Sequence, residues 1–144
     1  MKNTFLNILY FNVQTVQDSD FIGDNQKKLL IVIANEGDKN DANTEFLSKI
    51  IAAIKYNLND DAVRVFIEND AKLTLNSSIA QYNTEDVLVF GLSNAQLGIF
   101  IQQKKYQPFE IQGVRYLFSD NLTEIQTQKE LKGALWDALK KMFL

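Results

Sequence analysis

The side chains available for chemistry in this sequence are carboxylates, amides, hydroxyls and lysines, because its 144 residues include neither histidine nor cysteine. Without those two, no Ser-His-Asp or Cys-His nucleophilic set is possible. Nor is there a disulfide or a Cys-ligated zinc or iron–sulfur cluster. The 18 Asp and Glu residues leave carboxylate-pair chemistry open, yet no pair stands out. Glu36, Asp38, Asp41 and Glu45 are candidate ligands for a hard cation such as magnesium. Their spacing matches no calcium loop, and acidic residues at a helix start are favoured by its dipole. The expectation is no catalytic residue, no metal and no cofactor.

Two loops carry the remaining candidates. Asn35 and Glu36 follow one apolar run, and Gly91, Ser93 and Asn94 follow another. Loops just past the carboxyl ends of parallel strands are where open α/β sheets bind ligands. Glycine followed by Ser or Asn at a helix start offers backbone N–H groups to a phosphate, but the several glycines and the lysine of a P-loop are missing. Helix capping is the commoner use of Ser93 or Asn94. Trp136, Tyr10, Tyr56, Tyr82, Tyr106 and Tyr116 are platforms on which bases could stack. The net charge is −3, and the basic residues cluster only as the doublets Lys27-Lys28, Lys104-Lys105 and Lys140-Lys141. Strong direct binding of nucleic acid is therefore not expected, and core packing is the expected use of the aromatic rings.

The elements that must position these residues follow from periodicity. A chain of 144 residues, 46% apolar, suits one compact domain. The longest apolar run, Leu29 to Ala34, is far below the roughly 20 residues of a membrane span, and no basic-then-apolar leader opens the chain. A soluble, cytoplasmic protein without a membrane partner is expected. In residues 1–24, Phe5, Ile8, Leu9, Val13 and Val16 recur at helical spacing before the acidic stretch of Asp18, Asp20 and Asp24. This reads as an amphipathic amino-terminal arm or helix with a connector, ahead of a single α/β domain at 25–144.

Within that domain, the continuous run Leu29–Ala34 reads as a strand covered on both faces. Phe46, Leu47, Ile50, Ile51, Ile54 and Leu58 predict a helix of about four turns. Val63–Ile67 is a second strand, 77–82 a short helical piece and Asp86–Gly91 a third strand. Residues 108–118 read as a final extended segment bent at Gly113. A closing helix is predicted from about Gln126 to Phe143, with Leu131, Ala134, Leu135, Ala138, Leu139 and Met142 as its apolar stripe. The alternation predicts an α/β fold, a three-layer α/β/α arrangement around a mostly parallel sheet of about four strands.

The succession Val87-Leu-Val-Phe-Gly-Leu-Ser-Asn-Ala-Gln-Leu-Gly, then Phe109 to Leu117, then the closing helix with Lys132-Gly-Ala-Leu-Trp-Asp-Ala-Leu resembles the second half of uracil-DNA glycosylases. Those enzymes flip a uracil out of DNA and polarise it with a histidine near the end of the last strand. The corresponding segment here, Ser119-Asp-Asn-Leu, has no histidine, and the Gly, Pro and Tyr residues that shape the pocket around Asn35 and Glu36 are absent. The resemblance implies a uracil-DNA-glycosylase-like fold without uracil excision.

A second resemblance covers residues 27–144. Leu29-Leu-Ile-Val-Ile-Ala-Asn-Glu, Phe118-Ser-Asp-Asn-Leu-Thr-Glu-Ile and Ala134-Leu-Trp-Asp-Ala-Leu resemble, in order, three motifs of the psi subunits of the bacterial DNA polymerase III clamp loader. Those subunits share the glycosylase-like fold without the activity. The resemblance implies a non-catalytic interaction subunit of the replication machinery, with clamp-loader subunits as partners. Phe5, Ile8, Leu9, Tyr10 and Phe11 would then be the anchors of a docking arm, as aromatic and aliphatic side chains commonly are. The alternatives are that this segment packs on its own domain, or that the chain is a divergent glycosylase or a nucleotide-binding enzyme using the two loops.

Overall fold

The computed structural model describes residues 12–13, 20–68, 71–72, 75–99 and 104–144. The anchors expected in the arm, Phe5, Ile8, Leu9, Tyr10 and Phe11, lie outside the described residues.

Leu29–Ala34 (β2) is buried at every position and pairs in parallel with Ala62–Ile67 (β3) on one side and Asp86–Phe90 (β5) on the other. An unbroken apolar run suits such a strand because it has no solvent face. β5 pairs in parallel with Val114–Ser119 (β7), and Phe109–Ile111 (β6) adds antiparallel to β7, giving the order β3-β2-β5-β7-β6. Asn12–Val13 (β1) pairs in parallel with Ala71–Lys72 (β4) in a separate two-stranded ladder. The fold is α/β, with a mostly parallel sheet of five strands flanked by helices.

The fifth strand arises because 108–118 doubles back. Gln112 and Gly113 both have positive φ, 52° and 84°, as a two-residue type I′ hairpin loop requires. Gly113 accounts for only half of that turn; Gln112 in a left-handed conformation is not foreseeable from its type. Phe109 stacks on Tyr116 with ring centroids 5.3 Å apart, holding the hairpin together on one face.

Asn40–Ala53 (α1) stops before Leu58, which instead opens the short helix Leu58–Asp61 (α2). The break is local: Lys55 takes φ 67°, and the Asn57 side chain accepts hydrogen bonds from the Asn59 and Asp60 amides, starting a new helix. The closing helix is likewise divided. Gln126 belongs to Leu122–Thr127 (α4), and Lys129–Phe143 (α5) follows after Gln128 adopts extended angles. Asn121 caps α4 by accepting from the Glu124 amide at 2.8 Å.

Strand alternation sorts the core into two layers. Leu29, Ile31, Ile33, Leu88, Phe90 and Leu117 face α1, α2, α4 and α5, meeting Leu47, Ile51, Ile125, Leu135 and Leu139. Leu30, Val32, Val63, Val65, Val87 and Val89 face the other way, where Leu75–Tyr82 (α3) brings Ile79 and Tyr82 and the loop after β5 brings Leu92 and Leu97. At the amino ends of the parallel strands, Arg115 ties the layers: its Nε donates to Asp86 Oδ1 at 2.6 Å and its Nη1 to the Met142 carbonyl near the end of α5. The Asp86 hydrogen bond holds the Arg115 pKa above its ordinary value.

The sheet edge at β3 is covered by residues 21–23. Ile22 forms an antiparallel bridge to Arg64, and a Cβ on Gly23 would sit 2.1 Å from the Ala62 carbonyl oxygen. Only glycine fits so close to another backbone. No helix among the described residues is long and apolar enough to cross a membrane.

Candidate functional site

The two loops singled out from sequence meet at the carboxyl ends of the strands. Gly91, with φ 81°, lies where a Cβ would come within 2.8 Å of Asn121 Cβ and 2.9 Å of Ala34 Cβ. Its amide donates to the Ser119 carbonyl at 3.0 Å. The glycine thus permits close packing of three chain segments, which accounts for its presence without a phosphate.

Asn35 and Glu36 form part of a hydrogen-bonded network. Asn35 donates from Nδ2 to Glu68 at 2.7 Å, and its Oδ1 accepts from the Gly37 amide and from Asn40 Nδ2. Glu36 Oε2 accepts from Asn43 Nδ2 at 2.9 Å and from the Thr123 amide at 3.4 Å. Asn43, only 3% exposed, is the hub: its Nδ2 also reaches Thr123 Oγ1 at 3.2 Å, and its Oδ1 accepts from Gln126. Sequence reasoning missed this residue. The signal was present, since Asn43 precedes Leu47 by four positions on the stripe that continues to Ile51 and Ile54, and a polar residue there needs a buried partner. Among the described residues, no three carboxylates approach closely enough to hold a metal ion.

The short helix expected after Gly91 is a 3-10 turn at Ala95–Leu97. Its N-cap position is Asn94, without a side-chain cap bond, and Ser93 just before it bonds to Gln96. The Ser93 hydroxyl accepts from the Gln96 amide at 3.3 Å, and Gln96 Oε1 accepts from the Ser93 amide at 3.1 Å. Beyond this turn lies a cavity of about 160 Å³ lined by Leu92, Ser93, Asn94, Lys105 and Phe118. At its edge Asp120 accepts from Lys105 Nζ at 2.5 Å and from the Tyr106 hydroxyl at 2.6 Å. Burial alone would raise the Asp120 pKa, but these two hydrogen bonds outweigh it and hold the carboxyl below its ordinary range. Burial and the bond to Asp120 push the Tyr106 phenol well above its ordinary value. A carboxylate already engaged in this way is a poor general base.

The lysine doublets do not merge into a basic face. Lys27 lies 3.9 Å from Asp61, Lys28 3.5 Å from Glu85, Lys105 2.5 Å from Asp120 and Lys140 3.6 Å from Asp137. Of the aromatic residues, Tyr116 is buried and Tyr56, Tyr82 and Tyr106 are partly so. Trp136 departs from the expected core packing: it is 38% exposed. It borders a groove of about 220 Å³ between α1 and α5. Phe46, Ile50 and Ala53 line one wall, while Leu135 and Leu139, with Ile125 of α4, form the buried base. The charged lining residues are Lys49 and Lys132.

No family model matches the chain, and no curated protein matches it in sequence.

Proposed function

We propose that the chain is a non-catalytic protein-interaction module, a psi-like subunit of the replication machinery that couples the clamp loader to another protein. The observation that carries the non-catalytic part is the closure of the network around Asn35, Glu36 and Asn43. The amide and carboxylate that a glycosylase would turn toward water or a sugar are engaged here with Glu68, Asn40, Asn43 and Thr123. The exposed apolar groove beside Trp136 and the scattered lysine doublets, each with at least one lysine ion-paired, favour a protein partner over DNA. The assignment to the clamp loader rests on the resemblance of the three ordered motifs.

The test is recovery of partners on the tagged full chain from its native cell at moderate salt. Clamp-loader subunits should co-purify and be lost when residues 1–20 are removed; their absence with good recovery of the bait overturns the assignment. A uracil-containing single strand incubated with stoichiometric protein should stay intact. Abasic sites that vanish in Asn35→Ala would make the protein an enzyme.

A second reading, a binder of a small phosphorylated ligand, rests on the cavity bordered by Ser93 and Lys105. Millimolar ATP, GTP and inorganic phosphate should leave Tm unchanged if the interaction reading holds. A rise in Tm that is lost in Ser93→Ala favours the ligand.

A further inference from the structure

The groove between α1 and α5 has three properties that the fold itself does not require. Its apolar base is open at Trp136, the only tryptophan in the chain and 38% exposed. Its lining holds two exposed lysines, Lys49 and Lys132, and no carboxylate, although the chain as a whole carries a net charge of −3. Neither lysine forms an ion pair with a described residue. Gly133, between Lys132 and the Trp136 turn, weakens the helix by about 1 kcal/mol relative to alanine. A Cβ there would meet nothing within 4 Å, so no internal packing explains the glycine.

We propose that this groove receives an acidic amphipathic segment of a partner protein. An aliphatic or aromatic anchor would lie against Ile50 and Trp136, with Asp or Glu side chains beside Lys49 and Lys132. The groove, at about 220 Å³, is smaller than the roughly 300–1,000 Å³ typical of small-molecule and cofactor sites, which suits side-chain anchors better. An apolar stripe with charged flanks is how amphipathic helices are recognised in grooves, and opposite charge steers them there.

Other occupants fit less well. A second copy docking through the same patch would set lysine against lysine across a two-fold axis. Among the described residues, the amino-terminal strand β1 pairs with β4, whose Ala71 packs into the core layer on the face of the sheet opposite the groove. Two lysines also fall short of the roughly four to eight basic residues that recognise anionic lipid. The inference rests on the reading of the chain as an interaction module, but not on the clamp loader as its partner.

The experiment presents the full chain to a displayed library of random peptides of about 16 residues, long enough for four helical turns. Selected peptides are then titrated by Trp136 fluorescence, which reports the groove without other tryptophans. Enriched peptides should carry apolar anchors at helical spacing flanked by Asp or Glu, and should shift the Trp136 emission to the blue. The double variant Lys49→Glu, Lys132→Glu should weaken them at least about tenfold, while Lys49→Arg, Lys132→Arg keeps binding and shows that the fold is intact.

Enrichment without acidic bias, or binding indifferent to charge reversal, overturns the proposal. So does an emission shift that appears with protein concentration alone, which means a second copy, or one that reverses on deleting residues 1–11, which means the chain's own arm. If acidic peptides bind the groove but clamp-loader subunits do not co-purify, the functional assignment falls and the groove stands. If those subunits co-purify but the library yields no acidic peptide sensitive to the charge reversal, the groove falls and the assignment stands.

Discussion

At the carboxyl end of the sheet, Asn35 is bonded to Asn40 and Glu68, and Glu36 to Asn43, whereas between α1 and α5 an indole and two ammonium groups face solvent. The first region lies where topology would put a ligand, and its side chains are hydrogen-bonded within the fold. The second follows from no motif, yet it is the larger apolar opening. Position in an α/β sheet therefore names where a ligand would bind, but hydrogen-bond satisfaction tells whether the groups there are available for one.

The sharpest way to break this contrast is at Gly91. Gly91→Ala combines a left-handed φ of 81° with a Cβ 2.8 Å from Asn121 Cβ and 2.9 Å from Ala34 Cβ. It should cost roughly 3 kcal/mol, from backbone strain and overpacking together. A urea unfolding midpoint unchanged by the substitution would mean that the strand ends are not rigidly joined. Asn43→Ala comes next. It removes the hub from Glu36, Thr123 and Gln126 and should cost about 2 kcal/mol by leaving buried polar atoms unpaired. Chemical denaturation checks it, and a loss below a few tenths would show that water replaces the amide.

The groove should respond in the opposite sense. Gly133→Ala meets no obstruction and should stabilise the chain by about 1 kcal/mol, measured by thermal unfolding. A destabilisation would mean that the helix backbone needs the glycine.

The smallest effect is expected in the pH profile of the Lys105–Tyr106–Asp120 cluster. Asp120 has a lowered folded pKa, so its contribution is present above the ordinary carboxyl value near about pH 4 and fades as pH falls through the folded value. Tyr106 has a raised one, so its contribution is present below about pH 10 and is lost as pH rises further. Asp120→Asn should flatten both limbs of Tm against pH. A profile identical to that of the unsubstituted chain would show that the cluster is too well solvated to matter.

How much of this was legible from sequence depended on whether the determinant was local. Six consecutive apolar residues at 29–34 announced a buried parallel strand, and the spacing of Leu47 and Ile51 announced the face of α1. Where one helix gives way to the next was not legible. The periodic stripe runs on through Leu58 and backward to Gln126, while the breaks depend on caps at Asn57 and Asn121 and on extended angles at Gln128. The hairpin was hidden by Gln112, whose positive φ is tolerated because its neighbours pair across the turn. Trp136 follows Leu135 on α5, so its exposure depends on how far α1 reaches across the helix, which no local pattern encodes.

By itself the sequence determined the alternation of strands and helices, the two-faced burial of the central strand and the absence of histidine and cysteine chemistry. These are properties of residue type and short-range periodicity. The tertiary structure decided that Asn35 and Glu36 are engaged, that Gly91 is a packing glycine and that the open surface lies beside Trp136. The physical reason is separation along the chain. Asn43 and Thr123 are 80 positions apart, and the partner that satisfies a polar group, or fails to cover an apolar one, arrives only when the sheet brings such distant segments together.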